Sequence, residues 1–167
     1  DFQIIKKDGN FGAYFKVHYK GTVVPFFVGN ALGRPALYAS LAATGVGLHF
    51  GLNLVEISEA MRDFTPPAGR LCLLQGIKRT FIIDDTYNSA PDSTIAALEV
   101  LNKIASARKL AALGSMAELG SATEIGHRQV AAKLIETGVR AVFLVGEETK
   151  FIEDELKKRS FDGNIFR

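Results

Sequence analysis

The 167-residue sequence holds a single cysteine, no long run of like charges and no uninterrupted apolar stretch of membrane-spanning length. Each shortage excludes something. Cys72 alone rules out an internal disulfide, and in the run Leu71-Cys72-Leu73-Leu74 it reads as a buried small hydrophobe rather than a nucleophile. Net charge is +2, from 20 basic and 18 acidic side chains interspersed along the chain. That balance gives no electrostatic footprint for a nucleic-acid or membrane-surface partner, and neither is expected. A spanning helix needs about 18–20 apolar residues in a row, and no signal-peptide pattern opens the sequence. The cytoplasm is therefore the expected compartment.

Several chemical motifs are missing too. No GxxxxGK(S/T) loop occurs, so triphosphate is not cradled here in that way; Gly29-Asn30-Ala31-Leu32-Gly33-Arg34 lacks the lysine and the hydroxyl. No GxSxG elbow suggests a serine hydrolase, and no Cys/His cluster suggests zinc or any other metal. His18 and His49 lie in strand or helix patterns without a metal-spaced partner and read as structural. Gly45-Val46-Gly47 with Gly51 imitates a dinucleotide fingerprint, but it sits inside a helical pattern, where close helix packing explains it better.

What is present is ordinary globular material, 47% hydrophobic and 23% charged, enough for one domain or one domain with part of another. Phe11–Tyr19 and Thr22–Val28 are rich in aromatic and β-branched residues and flank the turn signal Lys20-Gly21, which predicts a β-hairpin. From Arg34 to Phe50 the period changes: Leu37, Leu41, Val46 and Leu48 recur at helical spacing, with Pro35 in the first turn. A second helix, Leu54 to about Phe64, is expected to bury Leu54, Ile57 and Ala60. Thr65-Pro66-Pro67-Ala68-Gly69 then forms a stiff, non-helical connector and the expected domain boundary.

Beyond it, strands are expected at Leu71–Gln75 and Arg79–Asp84, joined by Gly76-Ile77-Lys78, then at Lys109–Leu113 and Ala141–Val145. Helices are expected at Asp92 to about Ala105, Glu124–Thr137 and Glu148–Lys158. Strands alternating with helices of this length imply an α/β fold, a mostly parallel sheet with helices on both faces. The sequence ends after Phe161-Asp162-Gly163-Asn164, where such a sheet would add another strand or two, and reads as truncated.

Ligands in open α/β sheets sit beyond the carboxyl ends of the strands. The segment Phe81-Ile82-Ile83-Asp84-Asp85-Thr86-Tyr87-Asn88-Ser89-Ala90-Pro91-Asp92-Ser93 occupies such a place. Neighbouring strand residues point to opposite faces, so Asp84 and Asp85 serve different ends. The plain alternative is that Asp85 or Asn88 caps the turn and Asp92 or Ser93 caps the helix. A second loop, Leu113-Gly114-Ser115-Met116-Ala117-Glu118-Leu119-Gly120, follows a strand in the same manner, with His127 further on. Glu118 and His127 are candidates there, although an exposed helix position is the expected place of His127.

Taken together, Leu41-Ala42-Ala43, Pro67-Ala68-Gly69-Arg70, the Asp84–Ser93 string with Ala97-Leu98, and Leu113–Gly120 leading to His127 resemble the Mur ligase family of peptidoglycan ligases. Their order and spacing look most like the branch that adds D-alanyl-D-alanine to UDP-N-acetylmuramoyl-tripeptide, the Asp-Asp-x-Tyr-Asn-x-x-Pro-Asp-Ser string being the most specific part. The resemblance implies that residues 1–68 are the rear of a central ATPase domain and residues 69–167 a truncated Rossmann-like C-terminal domain. It implies ATP and Mg2+ as cofactors, an acyl-phosphate intermediate, and UDP-N-acetylmuramoyl-tripeptide and D-alanyl-D-alanine as partners. A monomer is expected because no exposed apolar stripe demands a partner. Arg70, Asp85, Tyr87 and Asn88 are the nucleotide-binding residues it implies, with no metal ligand and no catalytic residue assigned within these residues. The 167 residues alone are not expected to catalyse. Three departures stand out. The family's GxHNxxN stretch falls on Gly33–Ala39, where Pro35 and Ala36 replace the His-Asn pair and Ala39 the later asparagine. Ser115 stands where an aspartate is expected, and Ala90 where asparagine or serine is common. A related cyanophycin-synthetase-like amide ligase and a non-catalytic Mur-like binding module remain as alternatives.

Overall fold

The computed structural model describes residues 2–7, 10–104 and 108–167. The chain forms two compact units, Asp1–Asp84 and Asp85–Arg167.

In the first unit, β1 (Phe2–Lys7), β2 (Asn10–Tyr19) and β3 (Thr22–Gly29) form an antiparallel sheet in that order. The expected hairpin is β2–β3, closed by Lys20 and Gly21. Both have positive φ, as a two-residue loop matched to strand twist requires. Alternation along the hairpin buries Ala13, Phe15 and Val17 of β2 and Phe26 and Val28 of β3, with the Phe15 and Phe26 rings stacked 5.6 Å apart. Strand β1 escapes the sequence reading because Gln3, Lys6 and Lys7 break its apolar pattern.

Two helices, α1 (Gly33–His49) and α2 (Leu54–Arg62), contribute to the core of this sheet. Asn53 starts α2: its Oδ1 accepts the Val55 and Glu56 N–H groups, and the Glu56 carboxylate accepts the Asn53 N–H at 2.8 Å. Leu54 and Ile57 are buried as expected, but Ser58 rather than Ala60 completes the inner face. The Ser58 hydroxyl reaches across to the Pro25 carbonyl of β3 at 2.9 Å.

Helix α1 departs further from its apolar pattern. Its buried positions are Gly33, Ser40 and Thr44, while Leu41 and Val46 are exposed. Inward hydroxyls are tolerated because Ser40 and Thr44 donate to the Ala36 and Ser40 carbonyls one turn back, both at 2.7 Å. Gly47 allows the close helix approach expected there, since a Cβ on it would lie 2.9 Å from Ile57. A short antiparallel pair, β4 (Cys72–Gln75) and β5 (Phe81–Asp84), completes the unit as a sheet of its own. Strand β5 starts later than expected because Ile77–Arg79 form a 3-10 turn with Lys78 and Arg79 at positive φ. Cys72 is only half-buried, and its thiol donates to the Pro67 carbonyl at 3.1 Å.

The second unit alternates helix and strand: α3 (Pro91–Ile104), β6 (Leu110–Gly114), α4 (Thr123–Thr137), β7 (Ala141–Val145), α5 (Lys150–Lys158) and β8 (Asn164–Phe166). The expected end of α3, at about Ala105, lies outside the described residues. Strands β6, β7 and β8 form a parallel sheet in that order. Three-residue β8 was too short to register as a strand pattern. The fold class is therefore the expected α/β with a parallel sheet.

Ala111, Val142 and Leu144 point into a core shared with Leu98 of α3, Val130 and Leu134 of α4, and Ile152 and Leu156 of α5. Of the two helical layers expected, the described residues supply this one. The opposite sheet face shows Leu110, Phe143, Val145 and Phe166 to solvent, with the Phe143 and Phe166 rings stacked at 4.8 Å. Among the described residues, no helix is long and apolar enough to cross a membrane.

Candidate functional site

Three loops of the second unit carry its polar side chains toward one another. The first runs from Asp85 into α3. Asn88 Oδ1 accepts the Ser89 N–H at 2.8 Å, the local bond that lets asparagine shape a turn. Ala90 precedes α3, whose Pro91 occupies the first helical position, where a missing N–H leaves nothing unpaired. Ser93 Oγ accepts the Ala90 N–H at 3.1 Å, so Ser93 caps from inside the first turn. The capping role expected of Ser93 and the turn role expected of Asn88 are both present. Asp85 is half-buried, and Tyr87 and Asn88 are exposed.

The second loop follows β6. Ser115 N–H donates to the Val145 carbonyl at 3.0 Å, prolonging the β6–β7 ladder by one bond. Met116 then turns inward and is 2% exposed. Its N–H donates to His127 Nε2 at 3.1 Å, and His127 Nδ1 lies 2.7 Å from the Thr123 carbonyl. His127 is 0% exposed, not the exposed helix residue expected. Helix α4 passes beneath the loop here, and the histidine faces that loop instead of solvent. The approach is close: a Cβ on Gly126 would lie 3.2 Å from Leu119 of that loop and 2.6 Å from Pro91 at the start of α3. Glu118 is exposed at the loop tip with φ 62, a conformation uncommon outside glycine and asparagine.

The third loop follows β7. Gly146 has φ 101, and a Cβ there would lie 2.3 Å from Ser115 Oγ. The two loops thus touch where only glycine fits. Ser115 Oγ is buried and closes no hydrogen bond of good geometry. It nevertheless faces Glu148, whose carboxyl is held below the usual carboxylate range first by that hydroxyl and then by its own backbone N–H. Further back, buried Glu155 receives Arg159 at 2.6 Å and Arg128 at 3.0 Å, and the Arg159 hydrogen bond leads in keeping its carboxyl low. Arg128 also lies over the Phe151 ring at 6.0 Å, beside His127.

Of the four nucleotide-binding residues expected, Asp85, Tyr87 and Asn88 share the first loop, whereas Arg70 belongs to the other compact unit. Arg70 is exposed, and its N–H donates to the Pro67 carbonyl at 3.2 Å. Among the described residues, no group of three or more His, Cys, Asp or Glu is arranged to hold a metal ion. Sequence reasoning missed Thr94 and Gly146. Thr94 Oγ1 lies 3.0 Å from Ser89 Oγ and 3.9 Å from Met116 Sδ, which links the first loop to the second. A threonine one turn into a helix gives no sequence signal of such a link. Gly146, directly after the apolar strand Ala141–Val145, did give one.

The Mur ligase, glutamate ligase domain matches residues 69–165. Over 109 residues the chain is 34% identical to the UDP-N-acetylmuramoyl-tripeptide–D-alanyl-D-alanine ligase of Treponema pallidum, covering 65% of this chain and 23% of that protein. Identity to the ligase of the same name from Haemophilus influenzae is 33% over 70 residues, covering 42% of this chain and 15% of that protein. The chain thus spans less than a quarter of the length of these curated relatives. Among solved structures, MurF from Acinetobacter baumannii superposes with a TM-score of 0.82 over 100% of this chain and 35% of that one, at 23% identity. MurF ligase from Thermotoga maritima, solved in complex with ADP, gives 0.76 over 99% and 40%, at 19% identity. At such identity these superpositions establish shared fold, and the domain match over most of the sequence establishes kinship: the chain belongs to the Mur ligase family.

Proposed function

We propose that the protein carrying this chain is an ATP-dependent amide ligase that adds D-alanyl-D-alanine to UDP-N-acetylmuramoyl-tripeptide. The observation that carries the reading is the domain match over residues 69–165, joined to identity of 33–34% with ligases named for that reaction. In this chemistry a tripeptide carboxylate oxygen attacks the γ-phosphorus of ATP, giving an acyl phosphate and ADP. The dipeptide amine then attacks the acyl carbon, and phosphate leaves as the amide forms.

This chain's part is to bind and orient. Arg70 offers a planar, permanently charged fork suited to phosphate or ribose oxygens, and Asp85 an acceptor for ribose hydroxyls. Tyr87 and Asn88 border the nucleotide or the incoming dipeptide. The donor set fits a nucleotide by its chemistry. Magnesium, which would draw off phosphate charge when bound, has its ligands assigned outside these residues. Residue 69 is proposed as the start of the ligase domain, the cytoplasm as the compartment and the monomer as the working state. Water exclusion on closure protects the acyl phosphate from hydrolysis.

One observation favours a second reading, a binding module without catalysis. In the Gly33–Ala39 stretch, half-buried Ala36 packs against the first unit's core where the family pattern has a polar residue, so that position offers no amide to a base. Phosphate release by the full-length protein separates the two. With ATP, magnesium and both substrates, the ligase gives dipeptide-dependent release that falls at least about a hundredfold in Arg70→Ala, as loss of a charged transition-state contact does. No release from a well-folded full-length protein would leave the binding module.

A further inference from the structure

A hydroxyl owns one hydrogen, and that count gives direction to the contacts joining the first two loops. Thr94 Oγ1 is 3.9 Å from Met116 Sδ, an acceptor only, so in that contact Thr94 is the donor. Where Thr94 gives its hydrogen to sulfur, Ser89 donates to Thr94 Oγ1 across their 3.0 Å contact. The Met116 N–H is a donor only, so His127 Nε2, at 3.1 Å, must present a lone pair. His127 Nδ1, 2.7 Å from the Thr123 carbonyl, must therefore carry the ring hydrogen. The two contacts of the ring fit the tautomer with hydrogen on Nδ1.

We propose that His127 is a positioning residue for the ligand loops. Its Nε2 lone pair holds the Met116 backbone, and Met116, through Thr94 and Ser89, fixes the loop that bears Asp85, Tyr87 and Asn88. The proposal rests on the ligase reading for what those loops bind, but not for the coupling itself. Burial supports it. Met116 and His127 are 2% and 0% exposed, so no water can stand in for the ring as acceptor without opening the loop. The geometry separates this role from mere core filling, since a residue of similar bulk without an acceptor would pack but leave the Met116 N–H unpaired.

Two arms test the proposal. In the 167-residue chain, nitrogen NMR at neutral pH should show hydrogen on His127 Nδ1 and a scalar coupling from Met116 nitrogen to His127 Nε2. His127→Leu should shift the Asn88 and Ser89 amide resonances, and His127→Gln, whose side-chain carbonyl can accept the same N–H, should largely restore them. In the full-length ligase, His127→Leu should raise KM for ATP about tenfold or more with kcat held closer to its original value, and Gln should recover most of the difference. Hydrogen on Nε2, or Asn88 and Ser89 resonances untouched by His127→Leu, would overturn the proposal. If His127→Leu does not fold, the wild-type tautomer and the His127→Gln spectrum still decide. Full-length protein without turnover would sink the ligase reading, while the spectra judge the coupling on their own.

Discussion

Gly146 is the residue at which the loops beyond β6 and β7 meet, and its missing side chain is structural. At φ 101 an L side chain is strained wherever it points, and here a Cβ would also strike Ser115 Oγ at 2.3 Å. Gly146→Ala should lower stability by about 1–3 kcal/mol, as a residue forced into a sparsely populated region does. Urea unfolding measures this. Adding Ser115→Gly should return the steric share and leave the conformational share in place. An unaltered midpoint in the single variant would mean the turn relaxes freely. At this scale the sequence was legible where chemistry is local. Ser93 and Asn88 cap and turn because their partners lie within three residues. His127 was misread because its partner is a backbone N–H, and no side-chain pattern marks which amide will be left without an acceptor. Tyr87 and Asn88 are exposed on their loop, so their candidacy still rests on the family string and not on any contact they make.

Elements were read well where a period ran long enough. Helices α3 and α4 and strands β2, β3, β6 and β7 lie close to their expected places, because a buried face imposes its spacing on eight or more residues or on a continuous apolar strand. Failures fall on elements whose stability comes from a neighbour. Strand β1 is paired by β2 despite its lysines, and β8 exists through its ladder with β7. Helix α1 buries hydroxyls that bond to their own backbone, so Leu41 and Val46 misled, while Leu37 and Leu48 pack against the core. Helix α5 starts at Lys150, after a 3-10 turn at Glu147–Thr149 that takes up the residues expected in its first turn. Short α2, nine residues, depends instead on its start. Helices this short are marginal without packing or caps. Asn53→Ala removes the acceptor of two N–H bonds and should lower the stability of the first unit by about 1 kcal/mol. Thermal unfolding, set beside Asn53→Asp as a variant that keeps the cap, measures it. Equal loss in both variants would assign the effect to something other than capping.

For the whole molecule, the parallel sheet and its helices were foreseeable from alternation. The prolines near residue 66 suggested one boundary, and the domain match begins close to it, at residue 69. The compact units divide at Asp84, because β4 and β5 pair with each other, with Phe81 edge-on to Phe11 at 5.6 Å in the first unit. A connector's stiffness is written in its own residues, but the side to which a hairpin packs depends on distant ones. Function at this scale rests on family membership and on the chemistry of carboxylate activation. That chemistry has an atom to follow. In the proposed ligation, the tripeptide carboxylate oxygen that attacks ATP would leave with phosphate when the dipeptide amine displaces it. The full-length protein, supplied with tripeptide labelled with oxygen-18 in its reacting carboxylate, ATP, magnesium and D-alanyl-D-alanine, should release phosphate carrying one labelled oxygen for each amide formed. Unlabelled phosphate, or none, would contradict the assignment of this protein to acyl-phosphate ligation.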